Sequence, residues 1–249
     1  NSSGYVQASF GERDLIEVEG AASGTLVKDK VLGRIAVKYQ EQDGYLKTNI
    51  RDLAGKDGIA IKGQLQFNLN SDVEVLLNGR WTENDDLATG GYARDVATVG
   101  ADGLGVFVSQ GDPFNNTLST RGFLDREIYG FGGKVTWDMG NDLELVSITD
   151  WFTMDKNYIE DTDGTAAPGF AFSTLQDFKQ FTQELRLSGE TDRMRWQTGV
   201  YYLDTKSDAG AGINGFADSG WSLFIGGIRG EWRDDVESYS FFGQVDFDL

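Results

Sequence analysis

Strict two-residue alternation of apolar and polar side chains, sustained over long segments, constrains this chain more than any other feature. Ile59, Ile61, Leu65, Phe67 and Leu69 alternate with Ala60, Lys62, Gln64, Gln66 and Asn68. Beyond Asn70-Ser71-Asp72, Val73, Val75, Leu77 and Trp81 alternate with Glu74, Asn78, Arg80 and Thr82. Successive side chains of an extended backbone point to opposite faces, so each segment reads as a strand with one apolar and one polar face. Asn, Ser and Asp in succession favour a tight turn, which makes the two segments a hairpin. The pattern returns at Val31, Ile35, Val37 and Tyr39, at Tyr129, Phe131, Val135 and Trp137, and at Tyr239, Phe241, Val245, Phe247 and Leu249.

About ten strands follow, near 4–10, 14–27, 31–42, 58–70, 72–83, 125–139, 142–156, 177–190, 194–207 and 236–249. Several exceed the ~5–6 residues of a soluble strand and reach or pass the ~9–11 that a tilted strand needs to cross a bilayer. The connections sort by length. Those at 28–30, 70–72, 140–141 and 190–193 are short, whereas 43–57, 84–124, 157–176 and 208–235 are long. After a short first turn near 11–13 the two kinds alternate, as they do in outer-membrane barrels, with short turns at one end and long loops at the other. Trp81, Trp137, Trp151 and Trp196 fall near strand ends, where an interfacial girdle places them.

The composition narrows the function. There are 33 glycines and 2 prolines, and mean hydropathy is −0.37, with no apolar run long enough for a transmembrane helix. A barrel that shows lipid every second residue tolerates that hydropathy. Histidine and cysteine are both absent, which removes Ser-His-Asp and Cys-His catalysis, disulfides and the usual zinc sites. Neither a cofactor nor an enzymatic reaction is expected. A net charge of −18 argues against nucleic acid as a partner. Glu160-Asp161-Thr162-Asp163-Gly164 is a fragment of an oxygen-rich cation loop without the full spacing, and reads as a solvated acidic loop tip.

Phe181-Thr182-Gln183-Glu184-Leu185-Arg186-Leu187-Ser188, a short turn, and Trp196-Gln197-Thr198-Gly199-Val200-Tyr201-Tyr202 resemble a strand pair of TonB-dependent receptors. Gly20-Ala21-Ala22-Ser23-Gly24-Thr25-Leu26, Arg34-Ile35-Ala36-Val37 and Asp43-Gly44-Tyr45 are similar to that family's first barrel hairpin, and Ser240-Phe241-Phe242-Gly243-Gln244-Val245 fits its barrel strands. The resemblance implies an all-β, antiparallel transmembrane β-barrel of about 22 strands, plugged by a separate N-terminal domain. Residues 1–249 hold about ten of these strands, so the expectation is a partial barrel, with plug and C-terminal strands lying outside it. The implied role is uptake across the bacterial outer membrane of a scarce, bulky nutrient such as a ferric siderophore or a glycan, energised through TonB. The implied partners are outer-membrane lipid, the receptor's own plug and, through it, TonB.

The polar members of the alternation are candidates to face the lumen and plug: Glu17, Glu19, Arg34, Lys38, Lys62, Gln64, Glu74, Arg80, Glu184 and Arg186. In the long connections, Tyr92, Arg94, Phe107, Phe114 and Arg121, with Phe216, Trp221, Arg229 and Trp232, are candidates for ligand capture by stacking and charge. Two other architectures satisfy the same pattern: a complete ten-stranded barrel acting as a small channel, and a soluble or surface β-sandwich acting as an adhesin-like binding module.

Overall fold

Each alternating segment becomes a strand whose ladder bonds run to its sequence neighbours, because short turns bring consecutive segments side by side antiparallel. The computed structural model describes residues 2–90, 114–162, 164, 171–214 and 228–248. In chain order the strands are β1 (Ser3–Gly11), β2 (Leu15–Val27), β3 (Val31–Gln42), β4 (Lys47–Thr48), β5 (Lys56–Asn68), β6 (Val73–Leu87), β7 (Asn115–Asn116), β8 (Phe123–Gly140), β9 (Leu143–Asp161), β10 (Ala171–Thr191), β11 (Met194–Asn214) and β12 (Ile228–Phe247). Ten form one antiparallel sheet in the order β1-β2-β3-β5-β6-β8-β9-β10-β11-β12, and β4 and β7 form a small parallel pair. β1 and β12 are the unpaired edges of the large sheet.

The short turns carry the chemistry their residues announce. The Asn70 side chain accepts from the backbone N–H groups of Asp72 and Val73, both at 2.8 Å, and closes the β5–β6 hairpin. Asn141 and Asp142 have φ of 53° and 57°, the left-handed pair of a two-residue hairpin turn, which their short polar side chains tolerate.

Register assigns every residue to a face. On one face a single cross-strand row reads Ala8, Val18, Tyr39, Ile59, Glu83, Glu127, Asp155, Asp177, Asp208 and Arg233 from β1 to β12. Toward the short turns the same face carries Phe131, Trp151 and Phe181, then Val135, Leu185, Val200 and Phe241. These apolar side chains lie open: Phe241 is 86% exposed and Val6 82%. A soluble monomer rarely leaves a contiguous apolar face of this extent uncovered. Trp81, Trp137, Trp151 and Trp196 all belong to this face, Trp81 and Trp151 near its upper margin and Trp137 and Trp196 near its lower one. From Tyr129 to Trp137 the strand rises about 26 Å, or about 20 Å along the axis at a tilt of ~40°, close to the ~25 Å apolar band of a transmembrane barrel.

The sequence-based ranges fall on the ten long strands, but β8 to β12 run to 18–21 residues and cut into the expected loops. Connections 157–176 and 208–235 contract to 162–170 and 215–227. Alternation disappears where both faces of a strand are polar, although the ladder bonds continue, so the pattern loses these outer halves. Arg229 and Trp232, expected on a loop, therefore stand on β12.

Candidate functional site

The long-loop end is built by a small cap. Leu46 and Leu53 exchange backbone hydrogen bonds, and with Leu118 they form a buried apolar cluster against which Ala88 packs. Asn49 donates to the Leu118 carbonyl at 3.1 Å and accepts from its N–H at 2.7 Å, sewing residues 43–55 to residues 114–122. The Tyr45 and Phe114 rings sit 6.5 Å apart, and the Arg13 guanidinium lies 5.6 Å from the Tyr45 ring centre.

Two carboxylates anchor this cap, and neither is a solvated tip. Asp161 is 0% exposed; it accepts from the N–H groups of Ser119 (2.8 Å), Thr120 (2.9 Å) and Gly164 (2.9 Å) and from the Ser119 hydroxyl (3.1 Å). That corrects the reading of 160–164 as a solvated acidic tip at Asp161, while Asp163 lies outside the described residues. The donors are protein N–H and O–H groups, and among the described residues no cluster of three acidic side chains is arranged for a metal. Asp86 sits on a bulge of β6 between Asn84 and Leu87, with φ of 52°. A bulge re-aims its side chain. Here it turns Asp86 onto Arg51 (2.8 Å) and Arg121. Burial pushes the Asp86 carboxyl up, but the hydrogen bonds from Arg121 and Arg51 outweigh it and hold the group below the ordinary carboxylate range.

The face opposite the apolar one forms a polar wall. All ten residues Glu17, Glu19, Arg34, Lys38, Lys62, Gln64, Glu74, Arg80, Glu184 and Arg186 project from it. Lys38 pairs with Glu17 at 3.2 Å, and Arg80 grips both oxygens of Asp150 at 2.8 and 2.7 Å. Gly130 is what lets Arg80 cross β8, since a Cβ there would lie 3.0 Å from the Arg80 Cζ and 2.8 Å from the Phe152 Cβ.

Higher on the same wall Arg126 and Lys156 stand directly opposite each other on β8 and β9. Like charges in that position repel unless something compensates them. Arg126 donates to the Asn84 side chain at 2.7 Å, yet its Nε is buried without a partner, and Lys156 lies 5.4 Å from the Tyr158 ring centre. Neither cation meets a carboxylate among the described residues. Thr174, whose hydroxyl is also buried and unpartnered, lies opposite Tyr158, and Gln176 lies opposite Lys156. The same cross-strand row ends at Trp232. Alternation puts Arg126 and Lys156 inside strands but does not bring them together, because their partnerless pairing depends on register between two strands of the ladder. Their shared even numbering with the polar members of β8 and β9 was the available signal.

The candidate ligand residues scatter. Tyr92, Arg94, Phe107, Phe216 and Trp221 lie outside the described residues. Phe114 stays in the cap at 58% exposure, and Arg121 is held by Asp86. Arg229 and Trp232 line one cleft of 710 Å³ across the outer ends of β6 and β8–β12, but they point to opposite faces, and Arg229 pairs with Glu231 at 2.9 Å.

No family model matches the chain, and no curated protein does. Solved structures do. The ferric yersiniabactin uptake receptor FyuA from Yersinia pestis aligns with a TM-score of 0.64 at 13% identity, over 98% of this chain and 43% of that one. The siderophore receptor PiuA from Acinetobacter baumannii aligns at 0.65 and 16%, over 98% and 39%. The receptor FpvA of Pseudomonas aeruginosa, bound to a heterologous ferripyoverdine, aligns at 0.71 and 16%, over 100% and 35%. The chain thus spans about two fifths of the length of these receptors, and its fold is that of part of a TonB-dependent receptor barrel.

Proposed function

We propose that this chain forms the lumen wall and outer mouth of an outer-membrane uptake receptor for a bulky anionic cargo of the ferric-siderophore kind. The observation that carries the reading is the uncompensated Arg126–Lys156 pair, with Tyr158 and Trp232 on the same wall, at the outer end of a siderophore-receptor fold. Two half-buried cations facing each other, one of them 5.4 Å from the Tyr158 ring centre, suit a multiply charged, conjugated ligand. The wall below, from Arg80–Asp150 to Lys38–Glu17, offers polar contacts to a plug domain, and through such a plug TonB would supply energy. The barrel's share is positioning and charge.

A closed ten-stranded channel requires β1 to pair with β12, and these are the sheet's free edges. A soluble sandwich requires a second layer over the apolar face, and none of the described residues supplies one.

The test is radio-iron uptake by cells carrying the whole receptor, with a panel of ferric siderophores. Replacing Arg126 and Lys156 together by Gln should abolish uptake of the cargo that the native receptor supports, and a Lys179→Gln control on the other face should leave it intact. If the double variant transports normally, the pair is not the cargo site.

A further inference from the structure

The apolar face is not uniform. Across β2, β3, β5 and β6, Gly24, Gly33, Gly63 and Gly79 floor a furrow of 990 Å³. Ile35, Leu65, Leu77 and Phe131 rise beside it, and the lining is mostly apolar. Glycine inside a strand weakens it and commonly marks the close approach of a ligand or another backbone. At Gly63 and Gly79 nothing among the described residues comes closer than ordinary van der Waals contact. A Cβ on Gly63 would meet no atom within 4 Å, and one on Gly79 would meet the Phe131 ring at 3.4 Å and the Gly130 carbonyl oxygen at 4.0 Å, whereas Ser2 (2.8 Å) and Leu26 (2.9 Å) already lie over Gly24 and Gly33. The floor at Gly63 and Gly79 is therefore kept low for something other than the described residues.

The furrow's course identifies its occupant. Barrel strands tilt by ~35–45°, so a row perpendicular to them climbs across a horizontal slab. The long row already described shows the climb: apolar from Ala8 to Ile59, acidic from Glu83 to Asp208. The furrow climbs the same way, from the middle of the apolar belt at β2 to its upper margin at β8. There Phe131 stacks on Trp151 at 6.3 Å and closes the end. From β1 to β8 it crosses five interstrand spacings, about 24 Å, enough for a chain that reaches from one interface to the midplane of a ~30 Å hydrocarbon core. Its volume lies at the upper end of the ~300–1,000 Å³ usual for ligand sites.

We propose that this furrow is a binding site for one fatty-acyl chain of a lipid in the surface-facing leaflet, its head end at the Trp81–Trp151 level and its tail running down toward β2. The proposal rests on the membrane placement given under Proposed function. A selective seat of this kind holds one lipid through detergent extraction while the rest of the belt exchanges freely.

The experiment is native mass spectrometry of the whole receptor in detergent, titrated with dipalmitoyl phosphatidylethanolamine. The native protein should show one saturable lipid above the nonspecific ladder. Gly63→Leu with Gly79→Leu fills the floor, each from a Cβ that meets nothing closer than the Phe131 ring at 3.4 Å, and should weaken that site about tenfold, or about 1.4 kcal/mol. Gly243→Leu adds the same side chain to the belt outside the furrow and should leave the site unchanged. No saturable lipid, or equal retention by the filled variant, overturns the proposal. So does a native dimer that the filled variant converts to monomer, which would make the furrow a contact between copies. Recovery of the native receptor in the soluble fraction would instead sink the membrane placement itself, before any lipid is added.

Discussion

Asp161 shows how far one buried side chain reaches. It gathers three backbone N–H groups and a hydroxyl from segments some forty residues apart, and no water competes for it. Asp161→Ala would strand those donors, at a cost of about 2–4 kcal/mol to local stability. Hydrogen exchange at residues 118–122 should rise accordingly, while the ladder between β8 and β9 stays protected; unchanged exchange would mean that the cap is held elsewhere. Charge at the cap also responds to pH in two directions. The Asp57 carboxyl is raised, first by burial and then by Glu41, Asp85 and Asp86, so its folded form takes up a proton more readily than the unfolded chain. Acidification through that range therefore stabilises the cap. Asp86 is shifted the other way, so its contribution is complete above the ordinary carboxylate value of about 4 and is lost as pH falls through its lower folded value. Protection of residues 46–53 should thus rise on mild acidification and collapse below about pH 4. In Asp86→Asn the collapse should disappear, because Arg51 and Arg121 have already lost their carboxylate.

Each strand has two environments, and β10 separates them well. Leu185 faces the belt beside Val200, whereas Thr182 faces the polar wall opposite Asp150. On the membrane placement proposed above, Leu185→Arg puts a charge near the middle of the hydrocarbon and should cost about 2–4 kcal/mol of folding into vesicles, whereas Thr182→Arg should cost far less. Denaturant titration in lipid vesicles reads the difference. Equal costs would mean that water reaches both faces. At the β6 bulge a single extra residue moves Asp86 from the strand's regular sequence of faces onto two arginines, and Gly122 lets the returning chain pass, since a Cβ there would lie 1.9 Å from the Thr89 carbonyl oxygen.

The molecule as a whole is asymmetric. β1 to β3 are 9, 13 and 12 residues long, while β8 to β12 are 18–21 and continue past the belt as a wall with charge on its outer face. The low side is closed by the short turn at 12–14, where the Arg13 carbonyl accepts from the N–H of Asp43 at 2.8 Å, and the cap rises next to it. Two open edges, β1 and β12, expose unpaired backbone groups that pair with any available strand. Residues 1–249 refolded alone in detergent should therefore give mixed oligomers on size exclusion, whereas the longer receptor proposed above should run as one heat-modifiable species. A discrete monomer from the isolated segment would show that its edges are satisfied without further strands.

Period-two alternation by itself determined the strands, the antiparallel hairpin order and the two faces, because a pleated backbone leaves a side chain no third direction. It also gave Glu17, Lys38, Arg80 and the rest of the polar wall their common side, and it placed Trp81 and Trp137 on the other, where register adds Trp151 and Trp196. It was silent wherever both faces are polar, so the outer halves of β8 to β12 read as loops and Arg229 and Trp232 were assigned to one. Only the tertiary structure decided which residues meet across strands. The pairing of Arg126 with Lys156, the capture of Asp161 by Ser119 and Thr120, and the alignment of Gly24, Gly33, Gly63 and Gly79 into one furrow all depend on register between segments distant in the chain. Register is a property of the assembled ladder and the turns that pin it, and no single strand contains it.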